Sequence, residues 1–223
     1  MKSSYSFDFG SIVGSIPFLL KGLSETVQVT IMSLLMGLVV GLLVGLWRTS
    51  RGRLLQWTAG AYIEVFRNTP ALVQLMWVYY CLPILSGWTL SAKTSVILAL
   101  GLNASAYVAE IVRAGIQSID VGQFEAARCL GLSRRRTMYD VILPQALRRM
   151  QPALVNEAIA LLKFSSLVSV LGVADLTYQA NVLATTTFRP IEVFTIIAVI
   201  YFILCYALSF LAQRLEGRRA FTQ

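Results

Sequence analysis

Five apolar runs, each about as long as a bilayer is thick, decide what this chain can fold into. They cover residues 26–47, 57–85, 93–112, 152–173 and 191–211. About 20 residues of apolar helix cross the hydrocarbon layer. Inside it every backbone N–H and C=O must find a partner within the protein, which helices provide and open sheets do not. The runs therefore predict an all-α membrane protein with about five transmembrane helices. Of the 223 residues, 57% are hydrophobic and only 13% charged, where a soluble domain carries about a quarter charged. No polar stretch is long enough for a second domain, so residues 1–223 read as one transmembrane domain. The 57–85 run has its apolar part after Pro70. Residues 11–20 are apolar but too short to span. Within an extracytoplasmic or interfacial segment 1–21, they predict an amphipathic helix lying along the membrane surface. Asp8 precedes them and no clear small-residue cleavage site follows, which argues against a signal peptide.

The net charge of +8 could point to nucleic acid, but the cations are placed beside the spans. Arg48, Arg51 and Arg53 follow the first; Arg113, Arg128, Arg134, Arg135, Arg136, Arg148 and Arg149 lie between the third and fourth; Arg214, Arg218 and Arg219 follow the fifth. That puts thirteen of the nineteen Lys and Arg residues on one side, the side expected to be cytoplasmic. The opposite loops hold little beyond Lys93 and Arg189. The N-terminus is then outside, the C-terminus inside, and the polar 114–150 loop cytoplasmic.

Several chemistries are excluded. There is no His, which removes His-based metal sites, Ser-His-Asp triads and histidine proton relays. Cys81, Cys129 and Cys205 have neither metal-ligand nor redox spacing. No phosphate-binding G-x-x-x-x-G-K-[ST] loop occurs, so any ATP and its Mg are bound by another chain, and this chain binds no cofactor and is no enzyme. A membrane-embedded hydrolase would need convergent catalytic groups, and the intramembrane acids here are scattered. Five spans with no inverted repeat are few for an independent pathway, which predicts half of a pore completed by a second, identical or paralogous, chain. Gly37, Gly41 and Gly45 recur every four residues on the first span, a face on which another helix can pack closely.

The 114–150 loop has a helical logic of its own. Residues 123–130 can form a short helix bearing Glu125, Ala126 and Ala127. Gly131 suits its C-terminal cap because it takes positive φ without steric cost. Ser133 can N-cap a second short helix, expected to stop near Pro144. A helix–Gly–helix knob with Ala at its crest predicts a docking surface. The spacing Glu125-Ala126-Ala127, three residues, Gly131, nine residues, then Val141-x-Leu143-Pro144 resembles the EAA loop of permease subunits of bacterial ATP-binding-cassette importers. There the pattern ends Ile-x-Leu-Pro. The resemblance implies that Glu125, Ala126, Ala127, Gly131, Leu143 and Pro144 form a coupling helix seated in a cleft of the ATPase. Arg134, Arg135 and Arg136 are available to acidic ATPase surface, or simply set topology.

Further stretches resemble the polar amino acid permeases of the histidine, glutamine, arginine and glutamate type. They are Tyr62-Ile63-Glu64-Val65-Phe66-Arg67-Asn68-Thr69-Pro70 with Leu72-Val73-Gln74-Leu75, the stretch from Ala104 through Tyr107 and Glu110 to Ile116, and Asn156, Leu161-Leu162-Lys163 and Ser166-Leu167. This resemblance implies a multi-pass protein of the bacterial cytoplasmic membrane. Its implied partners are an ATPase dimer, a second permease subunit and an external amino-acid-binding protein.

Ionisable groups inside spans are costly and face partners or aqueous paths. Glu64 and Arg67, and likewise Glu110 and Arg113, are three apart on a helix face and read as structural ion pairs. Asn156, Glu157 and Lys163 are substrate-path candidates. Glu157 and Lys163, six residues apart, are separated by about 240° of turn and do not face one another. Glu157 either lines the path, favouring a cationic side chain or the substrate's ammonium group, or pairs with a cation of a neighbouring helix. Many relatives carry Lys-Asp-Thr where this chain has Lys163-Phe164-Ser165, so the role of that carboxylate does not transfer. The substrate implied is a polar L-amino acid, cationic if Glu157 selects the side chain. The other readings are a permease for acidic or neutral amino acids and an ion-coupled secondary carrier.

Overall fold

The computed structural model describes residues 6–50 and 52–220, and every regular element among them is helical. We number these α1 (Phe9–Val13), α2 (Ile16–Arg48), α3 (Arg53–Arg67), α4 (Ala71–Ser86), α5 (Ala92–Gln117), α6 (Val121–Cys129), α7 (Arg134–Leu171), α8 (Leu176–Thr187) and α9 (Pro190–Ala220). Four of them, α2, α5, α7 and α9, are long and apolar enough to cross a membrane, and α3 with α4 supplies a fifth crossing if the bent pair is counted as one.

The centre of the bundle is α5, packed along α2. A Cβ added at Gly37 would meet Ala104 Cβ at 2.9 Å, at Gly41 Val108 Cβ at 2.6 Å, and at Gly45 Val112 Cβ at 2.8 Å. The four-residue glycine period thus brings the two backbones together in parallel, as the sequence predicts. Leu75, Val96, Leu100, Ala104, Leu161 and Val168 form one apolar core where α4, α5 and α7 meet. A second core, around Val112, Ile116, Ile142, Ala146 and Met150, joins the lower end of α5 to α7.

Three expectations need correction, and one helix was not foreseen. The 57–85 run is not one straight span: α3 and α4 meet at a 102° bend. Pro70 has no N–H to continue a helix and biases Thr69 away from helical backbone, and α4 restarts behind it. Residues 11–20 do not form a separate surface helix. Val13 ends α1, and Ile16 begins the 33-residue α2, with Pro17 in its first turn, where proline favours a helix start. The helix capped by Ser133 does not stop at Pro144 but runs on through α7. Ahead of the proline, the Leu143 N–H bonds the Met138 carbonyl five residues back, a π turn over Thr137–Ile142 that widens the helix to admit the ring. The same device precedes Pro83, where Leu82 N–H reaches Trp77 O. Finally, α8 was not expected. Asp175 caps it, accepting from the N–H of Thr177 and Tyr178 at 3.2 and 2.8 Å, and that acid at a helix start was the available signal.

At the end of the bundle where α2 and α9 begin, charges are paired. Lys93 Nζ lies 2.7 Å from Glu25 Oε2, and Arg189 lies 3.3 Å from Glu192 and 3.8 Å from Asp8.

Candidate functional site

Two places have the geometry of a site: a helix presented at one end of the bundle and a pair of clefts within it. The presented helix is α6. Asp120 N-caps it by accepting from Gly122 N–H at 2.6 Å. Its far end closes as a Schellman motif: Leu132 N–H bonds Ala127 O at 3.1 Å and Gly131 N–H bonds Arg128 O at 2.9 Å, with Gly131 at φ +72°. Ser133 then caps the start of α7. Glu125 and Ala126 face outward, together with Val121, Cys129 and Leu130. Ala127 does not: only 2% exposed, it packs inward. The crest is therefore Glu125–Ala126, while Ala127 lets the helix lie close to the bundle. Leu143 and Pro144 sit just past the π turn, Leu143 half-buried and Pro144 exposed.

The clefts flank the break between α3 and α4. The upper one, about 440 Å³, is lined by Asn68, Thr69, Leu72, Asn103 and Phe164 among others. The lower one, about 420 Å³, is lined by Glu110, Gly115, Ser118, Arg149 and Ala153 among others. Arg67 and Tyr107 line both. The break itself is held by polar groups. Gln74 donates to Phe66 O at 2.8 Å, Thr69 O at 3.0 Å and Thr69 Oγ1 at 2.6 Å, and Asn103 donates to Phe66 O and Gln74 Oε1, both at 3.1 Å. These bonds satisfy carbonyls that lose their helical partners at the bend, as membrane depth requires. Sequence reasoning missed Asn103; an amide inside an otherwise apolar span was the signal.

The two expected ion pairs fare differently. Glu110 holds Arg113 with two hydrogen bonds, at 2.9 and 2.5 Å, and Arg113 also reaches Gln117 at 2.5 Å. Glu64 and Arg67 do not pair. Glu64 accepts instead from Asn68 Nδ2 at 2.7 Å, because the backbone break places that amide within reach. Arg67 turns the other way, over the Tyr107 ring, 5.5 Å from its centroid.

Asn156, Glu157 and Lys163 all lie on α7. Asn156 and Lys163 are exposed and Glu157 is half-buried. Among the described residues none of the three side chains has a hydrogen-bond or ion-pair partner. Among the described residues Glu157 therefore pairs with no cation of a neighbouring helix. Helical spacing puts Glu157 on the same face as Ala153 and Phe164, which line the lower and upper clefts. Among the described residues no cluster of three potential metal-ligating side chains occurs.

Residues 37–221 match the family described as "Binding-protein-dependent transport system inner membrane component". The arginine transport system permease protein ArtQ of Bacillus subtilis (strain 168) is 40% identical over 213 residues, covering 96% of this chain and 97% of the relative. The glutamine transport system permease protein GlnP of Escherichia coli (strain K12) is 41% identical over 213 residues, covering 95% and 97%. Among solved structures, an amino acid ABC transporter crystallised with histidines superposes with a TM-score of 0.91 at 43% identity, covering 96% of this chain and 100% of that one. The MetNI methionine ABC transporter in an inward-facing form gives 0.78 at 26% identity, covering 94% and 99%.

Proposed function

This chain belongs to the family of binding-protein-dependent transport system inner membrane components, and from that premise we propose that one protomer forms half of the path by which a polar L-amino acid is imported, driven by an ATPase docked on α6. It is the permease subunit of an ATP-binding-cassette importer for amino acids. The mechanics follow from the connection between the two sites. Arg134, beside α6, and Leu167, in the wall of the upper cleft, belong to one 38-residue helix. At 1.5 Å per residue that helix is about 57 Å long. Movement of α6 by an ATPase is transmitted along α7 to Ala153, Glu157 and Phe164, reshaping both clefts. This continuity is the observation that carries the reading.

The end bearing α6 and the arginines is cytoplasmic, and an amino-acid-binding protein delivers substrate to the opposite end. A second permease subunit closes the open sides of the clefts. Glu157, unpartnered among the described residues, meets the ammonium group of the substrate. ATP and Mg are held by the ATPase alone.

Ala126→Asp tests the docking. It places a charge at the outward crest, where contact would bury it without a partner. Co-purification of the tagged variant from its own membranes is expected to lose the ATPase while the permease still folds. Retention of the ATPase in full amount, with uptake intact, would remove α6 as the docking element.

A further inference from the structure

Arg67 is a charged residue with no acid hydrogen-bonded to it among the described residues. It ends α3 at the break, at the boundary between two clefts. Its expected partner, Glu64, is bonded to Asn68. The nearest acid lining the same space, Glu110, is held by Arg113 through both oxygens. Glu110 acts on Arg67 only through space, and the group placed against the guanidinium is the aromatic face of Tyr107. A guanidinium stacked on a ring keeps its in-plane N–H groups free. Those donors match a carboxylate in two-point geometry, and an exposed guanidinium between two clefts, with no carboxylate hydrogen-bonded to it among the described residues, points to a ligand that supplies one.

We propose that Arg67 binds the α-carboxylate of the transported amino acid, and that the Arg67–Tyr107 stack is the partition the substrate crosses between the upper and lower clefts. This rests on the amino acid importer reading above. Every amino acid carries the α-carboxylate, so Arg67 supplies recognition common to all of them, and the other lining groups choose among side chains. Asn68, Thr69 and Asn103 add neutral hydrogen-bonding groups to the upper cleft, and Phe164 an apolar wall. On the far side, Arg149 of the lower cleft bonds the Ser118 carbonyl, so the cation there already has a partner. A carboxylate entering the upper cleft therefore meets Arg67 as the charged residue in its lining. Release toward α6 requires the guanidinium to slide off Tyr107 or the ring to rotate.

The experiment uses the whole permease–ATPase complex in proteoliposomes, supplied with its binding protein. Uptake of each of the twenty radiolabelled L-amino acids is measured first, and the best taken up becomes the probe. Competition by that amino acid's α-carboxamide is then compared with competition by the unlabelled amino acid. Wild type is expected to prefer the free carboxylate strongly. Arg67→Met should raise KM about 10- to 100-fold, the loss of one charge-assisted contact, and should erase the preference over the carboxamide. Arg67→Lys should restore part of that preference, since it keeps the charge and loses the fork. Tyr107→Leu should change kcat more than KM, because it removes the partition and leaves the charge. Co-purified ATPase reports that each variant is assembled. A wild type that takes up amino acids, paired with an Arg67→Met variant of unchanged KM and unchanged carboxamide discrimination, would overturn the proposal and leave the importer reading standing. A wild type that takes up no amino acid at all would overturn both.

Discussion

Gly41 on α2 and Val108 on α5 are in backbone-level contact: a Cβ at Gly41 would lie 2.6 Å from Val108 Cβ and equally close to the Ser105 carbonyl oxygen. The carbonyl cannot rotate away as a side chain could, so the helices must separate. Gly41→Ala is expected to destabilise the bundle by about 1–3 kcal/mol, the usual cost of overpacking, and to lower its melting temperature in detergent. Gly14→Ala is the matched control, since nothing lies within 4 Å of a Cβ there, and it should melt as the parent does.

Cys129 stands exposed at the end of α6, whereas Cys81 and Cys205 are half-buried in α4 and α9. A water-soluble maleimide should label the purified permease at Cys129 first. Addition of the ATPase should slow that labelling at least about tenfold if α6 is the docked element. Equal labelling rates with and without ATPase, read by intact-mass spectrometry, would contradict it.

Asn103 is 4% exposed and Gln74 9%. Asn103→Leu keeps the volume but strips one donor from Phe66 O and the partner from Gln74 Oε1. Leaving such groups unsatisfied costs about 1–3 kcal/mol. Because the damage is at the α3–α4 break, protease sensitivity near Asn68–Pro70 should rise along with the fall in melting temperature. Gln74→Leu should do the same more strongly, since Gln74 makes three of the bonds that hold the break.

Asp175 is fully buried between α7 and α8. Desolvation pushes its carboxyl up to about 6 from 3.8, against the pull of the Tyr178 and Thr177 hydrogen bonds. Native protein therefore binds a proton that the unfolded chain has released. The contribution of this group is full below about pH 4 and lost as pH rises through about 6, a swing of about 3 kcal/mol at 1.36 kcal/mol per unit. Tyr201, whose hydroxyl meets Thr177 at 3.1 Å, keeps its proton throughout, since phenols titrate near pH 10. Melting temperature should fall from pH 4 to pH 7 in the parent, and Asp175→Asn should flatten that slope while keeping an acceptor oxygen for one of the two N–H groups.

Glu157→Gln removes the half-buried charge on the cleft-facing side of α7 and leaves its shape. Uptake of cationic amino acids is expected to drop about tenfold or more, and that of neutral ones less. Equal uptake and equal selectivity would take Glu157 out of the path.

The spans were legible because apolar length is a physical requirement of the bilayer, and the glycine period because a missing Cβ is visible in the sequence. The helix–Gly–helix of residues 121–136 was legible for the same reason: caps are local chemistry. What escaped depended on non-local or competing effects. The stop expected at Pro144 follows from proline's missing N–H, but a π turn re-routes the ladder around it, and nothing in the residues beside Pro144 announces that. The Glu64–Arg67 pairing followed from i,i+3 spacing, and the spacing is right. It failed because Asn68 competes for the acid and Tyr107, forty residues away in the sequence, competes for the base. Asn103 was passed over because its partner, the Phe66 carbonyl, exists only once the chain bends.

The ion pairs at the end where α2 begins set the long-range field there. Lys93 is neutralised by Glu25, and Arg189 by Glu192 and Asp8. A large molecule diffusing toward that rim feels little attraction or repulsion until it touches. The opposite rim, crowded with arginines around α6, projects an uncompensated positive potential, felt over about 8 Å in physiological salt. Ionic strength therefore acts on the two ends unequally. Raising it should slow capture of an acidic partner at the arginine rim and leave encounters at the paired rim almost unchanged, so that a single salt titration distinguishes which end of the molecule limits assembly.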